Sequence, residues 1–173
     1  GNNHMHTTIF VWIDLEMTGL NPQKDTILEI ATIITDGNLN ILEQGPQFII
    51  NQPDAVLDQM VPVVKELHQT SGLTQEVKQS TTTMKEAEKA TIALIKKYAD
   101  RRKAYLAGNS VWQDKAFLQK YMPSITDHLH YRILDVTSFK IAINAWYPEH
   151  KGFDYRKEDR HRALDDIKES IEE

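Results

Sequence analysis

The first half of the chain contains runs of apolar, β-branched residues separated by turn residues, which is the pattern of β-strands. Residues 9–15 are almost wholly apolar, as in a central strand that is covered on both faces. Residues 27–35 and 48–50 predict further strands. The segment Asp36-Gly37-Asn38 lies between apolar runs and is typical of a hairpin turn. We therefore expect the first three strands to form a meander.

The second half mixes helical and strand patterns. Between residues 83 and 98, apolar side chains recur at three- and four-residue spacing, which predicts a helix. The elements predicted after it are a strand at 105–107, a helix at 115–121 that ends before Pro123, a strand at 131–134, a helix at 136–146, and a C-terminal helix carrying Leu164, Ile167 and Ile171. Strands first, and then strands alternating with helices, predict an α/β fold in which helices cover a mixed sheet.

Size and composition indicate one domain and exclude several classes of protein. The chain has 173 residues and no cysteine, so disulfides and thiolate zinc sites are excluded and a reducing cytoplasm is the expected location. No apolar run approaches the roughly 20 residues that span a bilayer, so no membrane partner is expected. Residues 1–7, which begin Gly1-Asn2-Asn3-His4, are interpreted as a tag remnant and a disordered N-terminus.

The charge of the chain limits its nucleic-acid partners. The formal net charge is −5, which argues against a protein that coats long nucleic acid by neutralising many phosphates. A short substrate remains compatible if bound metal ions supply positive charge at the site. The densest basic groups, at residues 96–97 and 101–103, are interpreted as the solvated end of a helix.

Two carboxylates end the first predicted strand. Because strand side chains alternate, Asp14 and Glu16 share one face with Phe10 and Trp12. Burying two like charges costs on the order of several kcal/mol unless a cation neutralises them. Mg²⁺ and Mn²⁺ prefer hard oxygen ligands of this kind. The pair therefore indicates a divalent-metal site, and the alternative is that the strand has reached solvent with both acids exposed.

Two further segments carry candidate chemistry. Asp114 lies in the first turn of a helix after the small-residue turn at 108–110, where it could also serve only to stabilise the helix dipole. His161 precedes the C-terminal helix and is either a general base or a solvated capping residue. If His161 is inside the helix, Asp165 is its same-face neighbour. If His161 lies in the preceding loop, helical spacing does not apply, and the choice between Asp165 and Asp166 stays open.

Four blocks of the sequence resemble the motifs of one nuclease family. Residues 12–22 (WIDLEMTGLNP) resemble the first motif of the oligoribonucleases, which belong to the histidine-containing branch of the DEDD exonuclease superfamily. Residues 108–114 (GNSVWQD) resemble the second motif, and residues 130–136 (HYRILDV) resemble a stretch typical of oligoribonucleases. Residues 161–166 (HRALDD) resemble the third motif. The resemblance runs from about residue 8 to residue 170 and keeps the motif order.

The resemblance implies a fold and a catalytic centre. The fold would be ribonuclease H-like, a mixed five-stranded sheet flanked by helices, with residues 8–173 as a single exonuclease domain. In the third motif the acid follows the histidine by five residues, which selects Asp166 over Asp165. Two divalent ions, Mg²⁺ or Mn²⁺, would be held by Asp14, Glu16, Asp114 and Asp166. One ion would activate the attacking water and the other would stabilise the leaving 3′ oxygen, with His161 as general base.

The resemblance also implies a substrate and a homodimer. The activity would be 3′-to-5′ removal of nucleotides from short single-stranded RNA, especially dinucleotides, with release of 5′-mononucleotides. Leu20 would pack against a base, Ser110 would contact the 3′ nucleotide, and Tyr131 would be a catalytic residue contributed to the partner subunit's active site. The residues expected around the 5′ phosphate are His68, Arg132 and Thr137. Without the resemblance, Tyr131 and Leu20 are ordinary packing residues and Thr137 is a helix cap.

Two rival functions follow from the same residues. A proofreading-type DNA exonuclease belongs to the same superfamily, but Met17 after Glu16 and the block at 130–136 favour an oligoribonuclease. A catalytically idle RNA- or nucleotide-binding module would be favoured by loss of any one of the five catalytic residues, and all five are present. The chain has neither a Gly-rich Lys-Ser/Thr phosphate loop nor a Gly-x-Ser-x-Gly turn, so a nucleotide-driven motor and a serine hydrolase are not indicated.

Overall fold

A mixed β-sheet organises the computed structural model, which describes residues 7–149. Its strands are β1 (Ile9–Met17), β2 (Ile27–Asp36), β3 (Ile41–Gln44), β4 (Phe48–Ile49), β5 (Tyr105–Gly108) and β6 (Ile133–Asp135). Within this part of the chain the strand order is β3-β2-β1-β5-β6, with β4 pairing β2. The predicted α/β class and mixed sheet are confirmed. The predicted five strands match the continuous path, and the two-residue β4 adds a sixth.

The predicted meander of β1, β2 and β3 is confirmed. The strands β1 and β2 pair antiparallel along their whole length, and every residue of β2 except its last is buried. The turn into β3 is held by Asp36, whose Oδ1 accepts hydrogen bonds from the backbone N–H groups of Asn38 at 2.8 Å and Asn40 at 3.0 Å. This arrangement is the short Asx-type turn that the Asp-Gly-Asn segment favours.

The strands β5 and β6 extend the sheet in parallel with β1, so that three strand ends meet at one edge. The β1–β5 pairing runs from Phe10↔Tyr105 to Trp12↔Ala107, and β6 pairs in parallel with β5 up to Gly108↔Asp135. Since β1 continues to Met17, its last residues project past the end of β5. This edge is where the predicted site residues of the first two motifs lie.

Seven helices connect or cover the strands of the described part of the chain. They are α1 (Asp54–Asp58), α2 (Pro62–Thr70), α3 (Leu73–Gln79), α4 (Met84–Tyr98), α5 (Val111–Tyr121), α6 (Pro123–His128) and α7 (Val136–Trp146). The helix predicted at 136–146 has the observed bounds, and α5 begins four residues before the predicted position 115. The longest, α4, is capped by Thr83, whose side chain accepts from the N–H of Glu86 at 3.1 Å. None of these helices is long and apolar enough to cross a membrane.

The main core lies between one face of the sheet and helices α4 to α6. Val11, Ile13 and Leu15 of β1 point into this core. The helix residues that pack in the same cluster are Leu94, Ile95, Phe117, Leu118 and Ile125. Trp12 alternates to the other face, where it packs with Ala31, Ile33 and Ala107 in a smaller cluster. Side chains at even positions of β1, including the two acids, therefore lie on the face away from the main core.

Candidate active site

The two acids at the end of β1 are withdrawn from solvent. Glu16 is 9% exposed, and Asp14 is half-buried with its Oδ2 atom inaccessible. The alternative of a strand that has simply reached solvent therefore does not hold. Directly across from Glu16 in the β1–β2 ladder lies Glu29, which is fully buried and whose Oε1 accepts a hydrogen bond from the side chain of Gln47. Sequence reasoning missed Glu29, although it is the one charged residue in the apolar run of β2.

Asp114 of the second motif contacts the first motif directly. Its Oδ1 accepts a hydrogen bond from the backbone N–H of Leu15, the residue between the two acids, at 3.1 Å. Because the strand β5 ends at Gly108, the chain turns there and the first turn of α5 lies beside the projecting end of β1. Asp114 is 5% exposed, so it does more than stabilise the helix dipole at a solvated helix end.

These three carboxylates form the part of the predicted metal site that the structure describes. Their oxygens are the hard ligands that Mg²⁺ and Mn²⁺ prefer, and withdrawal of Glu16 and Asp114 from solvent beside the same strand end favours a bound cation. Between residues 7 and 149, no three His, Cys, Asp or Glu side chains are by themselves arranged to hold a metal ion. The fourth predicted ligand, Asp166, and the predicted base, His161, lie outside the described residues, as does the predicted C-terminal helix.

The predicted substrate contacts Ser110 and Thr137 are joined by hydrogen bonds at the same sheet edge. Their hydroxyl oxygens are 3.2 Å apart, and the backbone N–H of Ser110 donates to Thr137 Oγ1 and to Asp135 Oδ1, both at 2.9 Å. Ser110 has a left-handed backbone (φ 46°), which costs energy in a residue other than glycine. Asp135 also accepts from the N–H of Thr137 at 3.0 Å, so Asp135, and not Thr137, caps α7.

Leu20 stands exposed on the loop that follows β1. It is 72% exposed, and its carbonyl accepts a hydrogen bond of 2.6 Å from the side chain of Gln113, one residue before Asp114. The loop is also held by Asp25, whose Oδ2 accepts from the N–H of Asn21 at 3.0 Å. A Cβ atom at position 19 would collide with the Asp25 carboxylate, which explains the glycine there. Sequence reasoning missed both contacts, because Gln113 and Leu20 lie in different motifs 93 residues apart and Asp25 lies outside the motifs.

Of the remaining predicted contacts, one is buried and two are exposed: His68 is buried, whereas Tyr131 and Arg132 are exposed. His68 of α2 is only 2% exposed, and its Nε2–H donates to the carbonyl of Met17 at the end of β1 at 2.8 Å. Tyr131 and Arg132 are exposed just before β6, with the guanidinium carbon 5.3 Å from the centre of the tyrosine ring. The predicted strand at 131–134 begins only at Ile133. The substrate roles of all three residues stay predictions.

Comparison with known proteins identifies nucleases both by family model and by sequence identity. The family model described as Exonuclease matches residues 11–173. The chain is 52% identical over 163 residues to the human protein named "Oligoribonuclease, mitochondrial", covering 94% of this chain and 69% of the relative. It is 48% identical over 164 residues to the oligoribonuclease of Haemophilus influenzae strain PittGG, covering 94% of this chain and 89% of that one.

Among solved structures, the zinc-ion-bound complex of E. coli exonuclease I with single-stranded DNA resembles this chain. The TM-score is 0.74 at 17% identity, and the match covers 96% of this chain and 39% of the exonuclease. At this identity the likeness shows a common fold. The chain therefore spans less than half the length of that structural relative.

Proposed function

Because this chain belongs to the oligoribonuclease family of exonucleases, we propose that it hydrolyses short single-stranded RNA from the 3′ end and releases 5′-mononucleotides. The enzyme is a hydrolase, a 3′-to-5′ exoribonuclease of short oligonucleotides. The structural observation that most directly supports this function is the hydrogen bond from the N–H of Leu15 to Asp114. It brings the carboxylate of the second motif against the strand segment that holds Asp14 and Glu16.

A pair of Asp114 variants tests this observation. Asp114→Asn keeps an oxygen that can accept from Leu15 N–H, so we expect a melting temperature close to wild type but loss of activity. Asp114→Ala leaves the N–H without that acceptor, which costs about 1–3 kcal/mol. Thermal unfolding and an RNA cleavage assay on both variants measure the two effects separately. Equal destabilisation of the two variants would mean that the hydrogen bond is not what holds Asp114 in place.

We propose that the site holds two divalent cations, Mg²⁺ or Mn²⁺. The oxygens of the three described carboxylates are of the kind that these cations prefer, and the zinc-bound exonuclease I supports a divalent-metal site in this fold. The proposed ligands are Asp14, Glu16, Asp114 and Asp166. Bound cations would neutralise the carboxylates and the negative charge that develops on the phosphate during hydrolysis.

We propose His161 as the general base that takes a proton from the attacking water. His161→Ala is expected to reduce turnover by about 10²- to 10⁴-fold, the usual contribution of a positioned base. Mn²⁺ affinity, measured by calorimetry, should change little, because the histidine is not a proposed ligand. A loss of Mn²⁺ affinity as large as the loss of turnover would contradict this role.

The proposed substrate is the shortest RNA, above all a 5′-phosphorylated dinucleotide. Leu20 would pack against one base, and Ser110 would contact the 3′ nucleotide. In support, the carbonyl of Leu20 is hydrogen-bonded to Gln113, next to Asp114, and Ser110 directly precedes α5. The side chains proposed to surround the 5′ phosphate are His68, Arg132 and Thr137. A site that closes around the 5′ end binds a dinucleotide completely, whereas a longer chain loses that contact.

We propose that the enzyme is a homodimer in which Tyr131 completes the partner subunit's site. Tyr131 is 70% exposed, and the helix α7 has no buried residue although it is strongly apolar. Its exposed large side chains include Phe139, Ile141 and Trp146. An exposed apolar surface of this kind usually marks an interface. Sedimentation of wild type and Phe139→Asp tests the proposal, because the charged variant should shift the protein towards monomer.

The direction of cleavage and the sugar preference test the central proposal. A seven-nucleotide RNA labelled at its 5′ end should give a ladder of successively shorter labelled products. Immediate release of a labelled mononucleotide would indicate cleavage from the 5′ end instead. A matched DNA of the same sequence that is cut faster would indicate the proofreading branch. The cytoplasm is proposed as its location from the absence of cysteine. The human, bovine and mouse relatives are named mitochondrial.

A further inference from the structure

The imidazole of His130 contacts two tyrosine rings just before β6. Its ring centroid is 4.7 Å from that of Tyr105 in β5, with the planes at 42°. It is also 4.7 Å from the centroid of Tyr131, with the planes at 22°. The backbone N–H of His130 also donates to the carbonyl of Ala104 at 2.8 Å. The ring therefore contacts one tyrosine of the sheet and supports a second, exposed tyrosine.

The same imidazole also fixes the backbone of the next residues. Its Nδ1 accepts a hydrogen bond of 3.0 Å from the backbone N–H of Arg132. A side-chain acceptor that binds the N–H two residues later forms the turn that Asn and Asp usually make. Because Nδ1 is the acceptor, the ring carries its hydrogen on Nε2. The carbonyl of Tyr131, within this turn, accepts from Lys115 Nζ at 2.8 Å.

We propose that His130 is a positioning residue for RNA binding. Its ring supports Tyr131, its Nδ1 holds Arg132, and together these contacts keep both exposed side chains in one orientation before RNA binds. Preorganisation of this kind reduces the entropy that binding would otherwise lose, so its effect falls on substrate affinity. The proposal rests on the proposed function, because it requires Tyr131 and Arg132 to contact the substrate.

Two variants of His130 separate its two contacts. His130→Phe keeps a ring that can contact both tyrosines but has no acceptor for the Arg132 N–H. His130→Asn keeps an acceptor oxygen the same number of bonds from the backbone but has no ring. We expect His130→Phe to raise the KM for a 5′-phosphorylated dinucleotide about fivefold, the effect of one lost hydrogen bond, with kcat changed less than about twofold. His130→Asn should raise KM less than His130→Phe does, because the turn at Arg132 is kept and only the ring contact with Tyr131 is lost.

The loss of thermal stability should be larger in His130→Asn than in His130→Phe, which is the reverse of the order expected for the rise in KM. His130→Asn loses the apolar contact with both tyrosines, so we expect its melting temperature to fall further than that of His130→Phe. A residue with only a structural role would raise KM in proportion to the loss of stability. A KM that follows the melting temperature, or a wild-type KM in His130→Phe, would therefore overturn the proposal.

The hydrogen exchange of the Arg132 amide gives a readout that does not depend on activity. It should become faster in His130→Phe, where the hydrogen bond is lost, and stay near the wild-type rate in His130→Asn. An unchanged exchange rate in His130→Phe would overturn the proposal at the turn itself. If Arg132→Ala and Tyr131→Ala both left KM unchanged, the proposal would fail at its premise instead, and the proposed substrate contacts would fail with it.

Discussion

Removal of the Asp135 carboxylate is expected to weaken the fold at the start of α7 and at Ser110. One oxygen, Oδ1, accepts the N–H of Thr137 at 3.0 Å and the N–H of Ser110 at 2.9 Å. The first bond caps α7, and loss of such a cap costs about 0.5–2 kcal/mol. The second helps to hold Ser110 in its left-handed conformation, and a hydrogen bond of this kind contributes about 1 kcal/mol.

The helix cap and the hydrogen bond to Ser110 together predict that Asp135→Ala lowers the free energy of unfolding by about 2 kcal/mol. Thr137 Oγ1 also accepts from Ser110 N–H, at 2.9 Å, so part of the second contribution is retained and a much larger effect is not expected. For a chain of this size, about 2 kcal/mol lowers the melting temperature by about 4–8 °C. Urea unfolding gives the free energy, and differential scanning calorimetry gives the melting temperature.

Asp135→Asn is the informative companion to Asp135→Ala. Its side-chain oxygen can still accept both N–H groups, and Asn is as good a helix cap as Asp, so its loss should be under about 1 kcal/mol. Asp58→Ala, which removes an exposed acid from the end of α1, controls for charge and should be nearly neutral. If Asp135→Ala melted within about 1 °C of wild type, or if Asp135→Asn melted as low as Asp135→Ala, the reasoning would be refuted.

Two further predictions concern a loop and a surface ion pair. Gln113→Ala removes the hydrogen bond to the carbonyl of Leu20, so KM for a dinucleotide should rise about two- to tenfold; an unchanged KM would contradict a substrate role for this loop. Hydrogen bonds from Tyr98 and then Lys97 lower the pKa of Glu43 below its usual 4.5. The stability that Glu43 contributes over Glu43→Gln should therefore be present above pH 4.5 and decline below it in urea unfolding; a pH-independent difference would contradict this.

The sequence could predict those parts of the fold that depend on local periodicity and strong turn residues. The apolar run of β1 and the turn at Asp36 are such features, and so is the helix α7, whose bounds match the prediction. The short helices between residues 54 and 79 carry weaker patterns and were not predicted. The strand β6 starts late because the imidazole of His130 forms a turn with Arg132, a role for which histidine has no characteristic pattern.

The candidate site could be predicted only in part, because its key contacts are distant in sequence. Asp114 and Leu15 are 99 residues apart, and their hydrogen bond depends on β5 ending before β1 does. Glu29 lies beside Glu16 only because of the exact register of the β1–β2 ladder, which no sequence pattern specifies. The roles of His161 and Asp166 remain predictions, since both lie outside the described residues.

The most direct test of the central claim is the rate of mononucleotide release from 5′-phosphorylated RNAs of two to seven nucleotides. Wild type and Asp14→Ala would be compared with Mn²⁺ or with EDTA, and Asp58→Ala would serve as the matched acid-to-alanine control. We predict metal-dependent release that is fastest on the dinucleotide, is lost in Asp14→Ala and is retained in Asp58→Ala. Faster cleavage of long DNA, or binding of RNA by the metal-loaded wild type without any cleavage, would contradict the claim.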